Sequence, residues 1–231
     1  MLRAIPTCLS LVFLSTFCAA AFAETVPNST ENPVNEQAAI KPKPLYQAAC
    51  PVVLSGQVQA SQLPPIQDGE CGEHSPLSVT NVGGVKLSSQ ATLNCRMTTS
   101  LADWISEIQY LAVSELNSEL ETLSVSTSYQ CRRRNNLPNG KISEHGFSNA
   151  LDIIGFDFSN GSSLTLLDDW GEDEQGETTI GPDALFLRKA RDQACNYFTT
   201  VLSPDTNALH KDHFHFDLGC HGKKCTYKLC E

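Results

Sequence analysis

The chain has 231 residues, 26 acidic against 16 basic side chains, a formal charge of −10 and six histidines. That acidic balance argues against nucleic acid as a partner and against an anionic membrane surface, since both attract basic proteins. Ten cysteines make the compartment the first question, and the N-terminus bears on it directly.

Arg3, an apolar run over residues 9–20 and the small-residue step Ala21-Phe22-Ala23 read as a secretory signal peptide, residues 1–23, with cleavage before Glu24. The run is shorter than the roughly 20 apolar residues a membrane-spanning helix needs, and no later segment approaches that length, so no membrane span is expected. Phe17 is bulky where a lipid-attachment site before Cys18 wants a small residue, which argues against a lipoprotein. The expected destination is the periplasm or the exterior. Cleavage leaves Cys50, Cys71, Cys95, Cys131, Cys195, Cys220, Cys225 and Cys230. An even number in an oxidising compartment predicts disulfides, although roughly a hundred pairings are open. The rival is a second zinc site from Cys220, His221, Cys225 and Cys230, whose spacing is loose for a zinc knuckle.

Residues 24–44 are rich in Pro, Asn, Glu and Lys and hold no aromatic residue, so they cannot offset their ordering entropy and read as a disordered linker. Residues 45–231 are a normal length for one domain with a single core. In that domain Leu101, Trp104, Ile105, Ile108, Leu111, Ala112 and Leu116 recur at helical spacing, with Thr98, Thr99 and Ser100 as candidate N-caps. Residues 123–129 alternate as a strand. Residues 150–158 and 163–167, joined through Asn160-Gly161, predict a hairpin with a primed turn. Pro182 opens a second helix through Leu185, Phe186, Ala190 and Ala194 to about Val201, and residues 213–218 alternate as a further strand. This order predicts an α+β fold, a mainly antiparallel sheet with helices on one face.

Four of the six histidines fall in two short segments, Ser143-Glu144-His145-Gly146-Phe147-Ser148-Asn149-Ala150-Leu151-Asp152 and His210-Lys211-Asp212-His213-Phe214-His215. On a strand, His213 and His215 project from the same face and reach one ion or substrate atom together. A loop must intervene between His145 and Asp152, and Gly146 and Ser148 permit one. A catalytic zinc ion takes three nitrogen or oxygen ligands and keeps a fourth position open, and His145, Asp152 and His215 would supply that set. The ion acidifies water and polarises a carbonyl when a base stands beside it. Asp212 and His213 are the candidates for that base, and His210 for a hydrogen bond to the developing oxyanion.

Ser143-x-His145-x-x-Ser148-x-Ala150-x-Asp152 resembles the Ser-x-His-x-x-Gly-x-Ala-x-Asp motif of zinc D-alanyl-D-alanine carboxypeptidases, whose fold is shared by the hedgehog signalling domain. His210-x-x-His213-x-His215 resembles the histidine triplet of penicillin-insensitive murein endopeptidases. The wider stretch, with Ser128-Tyr129-Gln130-Cys131-Arg132-Arg133-Arg134-Asn135, Asn149-Ala150-Leu151-Asp152-Ile153 and Asp212-His213-Phe214-His215, is most similar to the bacterial extensin-like C-terminal domain family. The resemblance implies a hedgehog/DD-peptidase-like zinc-binding fold, with His145, Asp152 and His215 as ligands and with His213 and His210 beside the reacting water. It departs in three places: Asp212 stands where the carboxypeptidases have glutamate, Ser148 where they have glycine, and Gln130 where they have a substrate-positioning arginine.

The expected function is an exported zinc metallopeptidase acting on peptidoglycan peptides. The alternative is a non-catalytic zinc module that binds wall material or a protein, as the hedgehog branch illustrates. Arg132 is the candidate for gripping a substrate carboxylate, since guanidinium groups match carboxylates bidentately. Glu144 is a candidate outer partner for His145. The acidic stretch around Trp170, from Asp168 to Glu177, reads as a solvated loop.

Overall fold

The computed structural model describes residues 49–171 and 180–231, so the leader, the linker and most of the acidic stretch after Trp170 lie outside the described residues. The elements run α1 (Pro51–Leu54), β1 (Val58–Gln62), β2 (Ile66–Asp68), β3 (Cys71–Glu73), β4 (Leu77–Val82), β5 (Val85–Leu93), α2 (Cys95–Leu116), β6 (Leu120–Thr127), β7 (Ala150–Phe158), β8 (Ser163–Thr165), α3 (Leu166–Asp169), α4 (Pro182–Tyr197), β9 (Thr200–Leu202), β10 (Phe214–Asp217) and β11 (Leu229–Cys230). One sheet takes the order β1-β4-β5-β6-β7-β10-β9-β11, with β8 paired to β7 beyond the end of β10. Its ladders are antiparallel except β5 with β6 and β11 with β9. The parallel β5/β6 step needs a crossover, and α2 supplies it. The architecture is a mixed α+β domain, a largely antiparallel sheet with helices packed against it.

Alternation along the strands decides what each face does. On β7, Leu151, Ile153, Phe156 and Phe158 join the core, and on β10 Phe214 and Phe216 do the same. Trp104 of α2 stands edge-on to Phe216 at 5.1 Å, while Phe186 of α4 meets Phe156 at 5.4 Å. Both long helices therefore cover this face, as expected. Asp152 on β7 and His215 and Asp217 on β10 alternate out of phase with these core residues and point away from the helices.

Several boundaries differ from the expectation. The N-cap of α2 is Asn94, whose side-chain oxygen accepts from the Met97 N–H at 2.8 Å; Thr98 and Thr99 lie inside the first turn and donate their hydroxyls to the carbonyls of Asn94 and Cys95. The β7/β8 turn is not a two-residue primed turn. Phe158 and Gly161 close it (N–H to carbonyl 2.9 Å) and only Gly161 has positive φ, at +85°, which makes a three-residue loop ending in a glycine bulge. The strand then stops at Thr165, whose hydroxyl caps α3. Helix α4 ends at Tyr197 rather than near Val201. Phe198 is extended and stacks on Phe216 at 4.8 Å, and the β-branched pair Thr200-Val201 is drawn into β9 beside β10.

All eight described cysteines pair, as Cys50–Cys95, Cys71–Cys131, Cys195–Cys230 and Cys220–Cys225. This removes the rival zinc site, because Cys220, Cys225 and Cys230 have no free thiolate to offer. No helix among the described residues is long and apolar enough to cross a membrane.

Candidate metal centre

The antiparallel register of β7 and β10 places His215 directly opposite Asp152. His145 arrives from a different piece of backbone, a 3-10 turn over Glu144–Phe147 that ends when Ser148 takes the left-handed conformation and feeds the chain into β7. This is the loop that the spacing required. The turn is pressed against the Cys71–Cys131 disulfide: a Cβ on Gly146 would lie 2.7 Å from Cys71 Sγ, so glycine is what lets the turn sit this deep.

Three atoms converge there. His145 Nε2 lies 3.2 Å from His215 Nδ1 and 3.2 Å from Asp152 Oδ1, and His215 Nδ1 lies 2.9 Å from Asp152 Oδ1. Tetrahedral ligands bonded at zinc distances are themselves about 3.3 Å apart, so the triangle has the size such an ion demands. The outer partners fix which ring atoms face inward. His145 Nδ1 is 2.6 Å from the Ser128 carbonyl, which can only accept, so the proton is on Nδ1 and Nε2 carries a lone pair. His215 Nε2 is 3.0 Å from Asp217 Oδ2 and donates to that carboxylate, which turns Nδ1 towards the centre. The neutral tautomers therefore aim three acceptors at one point, an arrangement that requires a cation or added protons between them. His145, Asp152 and His215 are the group among the described residues whose ligand atoms could hold a metal ion.

Electrostatics of the metal-free cluster show the same demand. Burial pushes the Asp152 carboxyl up, but hydrogen bonds and charge from His145 and His215 outweigh it and hold it well below the usual carboxylate range. Burial alone would lower His215, yet its hydrogen bonds to Asp152 and Asp217 raise it to about 9. Protons fill the place that a cation would take.

Asp152 and His215 form one wall of an open cleft of about 280 Å³, with His145 fully buried, and its lining also includes Arg132, Arg134, His210, His213 and His221. Arg132, His210 and His213 thus share one cleft with Asp152 and His215. His213 Nδ1 lies 2.7 Å from Asp212 Oδ1, while Asp212 is exposed and is not among the lining residues. His210 is pulled down to about 4 by burial, then by His213 and His215. With its Nδ1–H directed at Asn207 Oδ1 at 3.0 Å, the neutral ring offers an acceptor to the cleft, unlike the donor role expected of it. Arg132 donates from Nε to Gln130 Oε1 at 2.8 Å. Glu144 does not touch the His145 ring; it accepts from Asn149 at 2.8 Å and pairs with Arg134 at 3.3 Å. The outer partners of the histidines are the Ser128 carbonyl and Asp217. A backbone carbonyl leaves no sequence signal, but Asp217 had one, since it lies two residues past His215 on the same strand face.

Ser148 is fully buried at φ 51°, ψ 28°, and its hydroxyl has no hydrogen-bond partner among the described residues. A left-handed residue with a side chain is strained by about 1–2 kcal/mol, and a buried unpaired hydroxyl costs about 1–3 kcal/mol. Glycine removes both and gives back under 1 kcal/mol, roughly, through the unfolded chain. Ser148→Gly is expected to stabilise the metal-free protein by about 1–2 kcal/mol, read as a higher denaturant midpoint; a lower midpoint would show that the serine is better housed than its geometry indicates.

Residues 48–231 match the family model described as extensin-like protein C-terminus. No curated protein and no solved structure matches the chain.

Proposed function

The chain belongs to the extensin-like protein C-terminus family, and with that as premise we propose that it is an exported zinc protein whose metal-centred cleft engages peptidoglycan peptides. One observation carries the proposal: the tautomers of His145 and His215, fixed from outside by Ser128 and Asp217, direct two nitrogens and the Asp152 oxygen at a single point. A two-nitrogen, one-oxygen donor set suits zinc. Four disulfides fit an oxidising compartment, in keeping with the leader read in residues 1–23. The ligand motif supports kinship with the hedgehog/DD-peptidase fold, in which both binding and hydrolytic members occur.

Bound at this point, zinc supplies Lewis acidity, polarising a carbonyl and acidifying water. The residues of the chain supply the rest. Asp152 and His215 are mostly buried and present their ligand atoms to the cleft side, and Arg132 at the rim offers a guanidinium for a peptide carboxylate. Engagement of a wall peptide without turnover is the reading this geometry supports first.

Hydrolysis is a second reading, favoured by the His213–Asp212 pair. Asp212 accepts the Nδ1 proton and orients the ring, leaving His213 Nε2 to take a proton within the cleft. Asp212 then works through His213, which offsets its shorter reach than glutamate. The test uses purified sacculi and zinc-loaded protein. The binding reading predicts zinc-dependent retention on sacculi with no muropeptides released. The hydrolytic reading predicts release, reduced by about 100-fold or more in His213→Ala with zinc content intact. Zinc-loaded protein that shows neither retention on sacculi nor release from them would overturn the wall assignment.

A further inference from the structure

Asp217 is held more completely than a salt-bridge partner needs to be. Its side chain is buried; Oδ2 accepts from His215 Nε2 at 3.0 Å and Oδ1 accepts from the Gly219 N–H at 2.8 Å. Thr200 stands directly opposite Asp217 on the neighbouring strand β9, and hydrogen bonding from its hydroxyl helps hold that carboxyl low. Thr200 Oγ1 in turn lies 2.6 Å from His221 Nε2. The polarity of this chain is determined. A carboxylate can only accept, so the Thr200 hydroxyl donates to Asp217, and its oxygen is then free to accept from His221 Nε2–H. The two histidines stand at opposite ends of one line of hydrogen bonds: His215 on the ligand triangle and His221 in the loop closed by Cys220–Cys225. That loop is itself anchored beside Thr200, through the bridge of His221 with Tyr227 and the pairing of Leu229 opposite Thr200.

We propose that Asp217, supported by Thr200 and His221, is the positioning residue that presents His215 to the metal through Nδ1. An imidazole whose Nε2–H is committed to a fixed acceptor has only its Nδ1 lone pair left to offer, and the ring plane is set by the same bond. Asp217 and His215 share one strand face two residues apart, while Thr200 comes from the neighbouring strand β9, so the ring is clamped by two strands and a disulfide loop rather than by its own backbone. This inference rests on the metal reading of the site. It adds that affinity is built from β9 and the C-terminal loop as well as from the three ligands.

The full chain without an affinity tag is titrated with zinc against a competing chelator, and ¹⁵N-imidazole spectra report which ring nitrogen of His215 carries the proton in the zinc form. Asp217→Ala is expected to weaken zinc binding about 10–100-fold and to lose the single Nε2-protonated signal. Asp217→Asn is expected to restore part of the affinity, because its amide oxygen still accepts from Nε2 while its NH2 replaces the acceptor of the Gly219 N–H. Thr200→Val, nearly the same shape, is expected to shift affinity in the same direction by less, and carries the test if Asp217→Ala does not fold. Wild-type affinity with an unchanged His215 signal in Asp217→Ala or, where that variant does not fold, in Thr200→Val overturns the relay while leaving the zinc site standing. A folded wild type that takes up no zinc overturns the site itself.

Discussion

Replacing Asp152 with alanine is expected to remove stoichiometric zinc from the protein, lowering affinity by more than the roughly 10–100-fold that an outer partner commands. Asp152 is the one anionic ligand of the triangle, and its Oδ1 lies close to both rings, at 2.9 Å from His215 and 3.2 Å from His145. Without it two neutral nitrogens face a divalent ion, and the whole of the ion's charge, rather than half, is left uncompensated at a buried point. The same contacts give the sign of the pH dependence. In the metal-free protein His215 is raised from its ordinary 6.5 to about 9, so its contribution to stability is complete below 6.5 and is lost as pH rises through 9. Asp152 and Asp217 are held low, so theirs is present above the ordinary carboxylate range and is lost as pH falls through their depressed values. Zinc must displace the His215 proton, and its affinity is therefore expected to climb between pH 6.5 and 9 as the metal-free fold weakens. Chelator competition and denaturant melts across that window check both trends. In Asp152→Ala the high-pH loss of stability is expected to shrink, because His215 keeps only Asp217 as a charged partner.

Trp104→Ala is expected to cost about 3–5 kcal/mol, the largest effect on stability of any single change considered. The ring is fully buried and stands within 6.4 Å of Phe156 and Phe198 and 5.1 Å of Phe216, all measured between centroids. Truncation opens a cavity among three rings and takes the indole donor, at 2.9 Å, from the Ala190 carbonyl. The damage reaches the metal site, because Phe156 and Phe216 belong to the strands that carry Asp152 and His215 on the reverse face. Weaker zinc binding should accompany the lower denaturant midpoint. Trp104→Phe is expected to lose much less, and a midpoint for Trp104→Ala close to that of the wild type would show that the aromatic cluster does not hold the sheet to the helices.

The periodic elements were legible because burial writes a period into the sequence. The apolar series from Leu101 to Leu116 gave α2, and Phe214-His215-Phe216 gave a strand with core on one side and chemistry on the other. Boundaries were less legible where two signals compete. Thr98 and Thr99 look like caps, but Asn94 wins the position because Cys95 is tied back to Cys50 and the helix begins there. Val201 continues a helical pattern locally, yet an open edge of β10 offers Thr200 and Val201 a ladder, and β-branched residues take it. The ligand set was readable from residue types and spacing. The atoms behind it were not: Ser128 acts through a carbonyl that any residue could provide, Thr200 meets Asp217 only through the pairing of β9 with β10, and His221 meets Thr200 only through the turn that follows β10.

Zinc content of the protein, purified without a metal-binding tag and freed of loosely held ions by dialysis, tests the central claim most directly. Elemental analysis is expected to find one zinc per chain in the wild type and none in Asp152→Ala. A folded wild-type protein that carries no zinc, and takes up none when zinc is added at neutral pH, would contradict it.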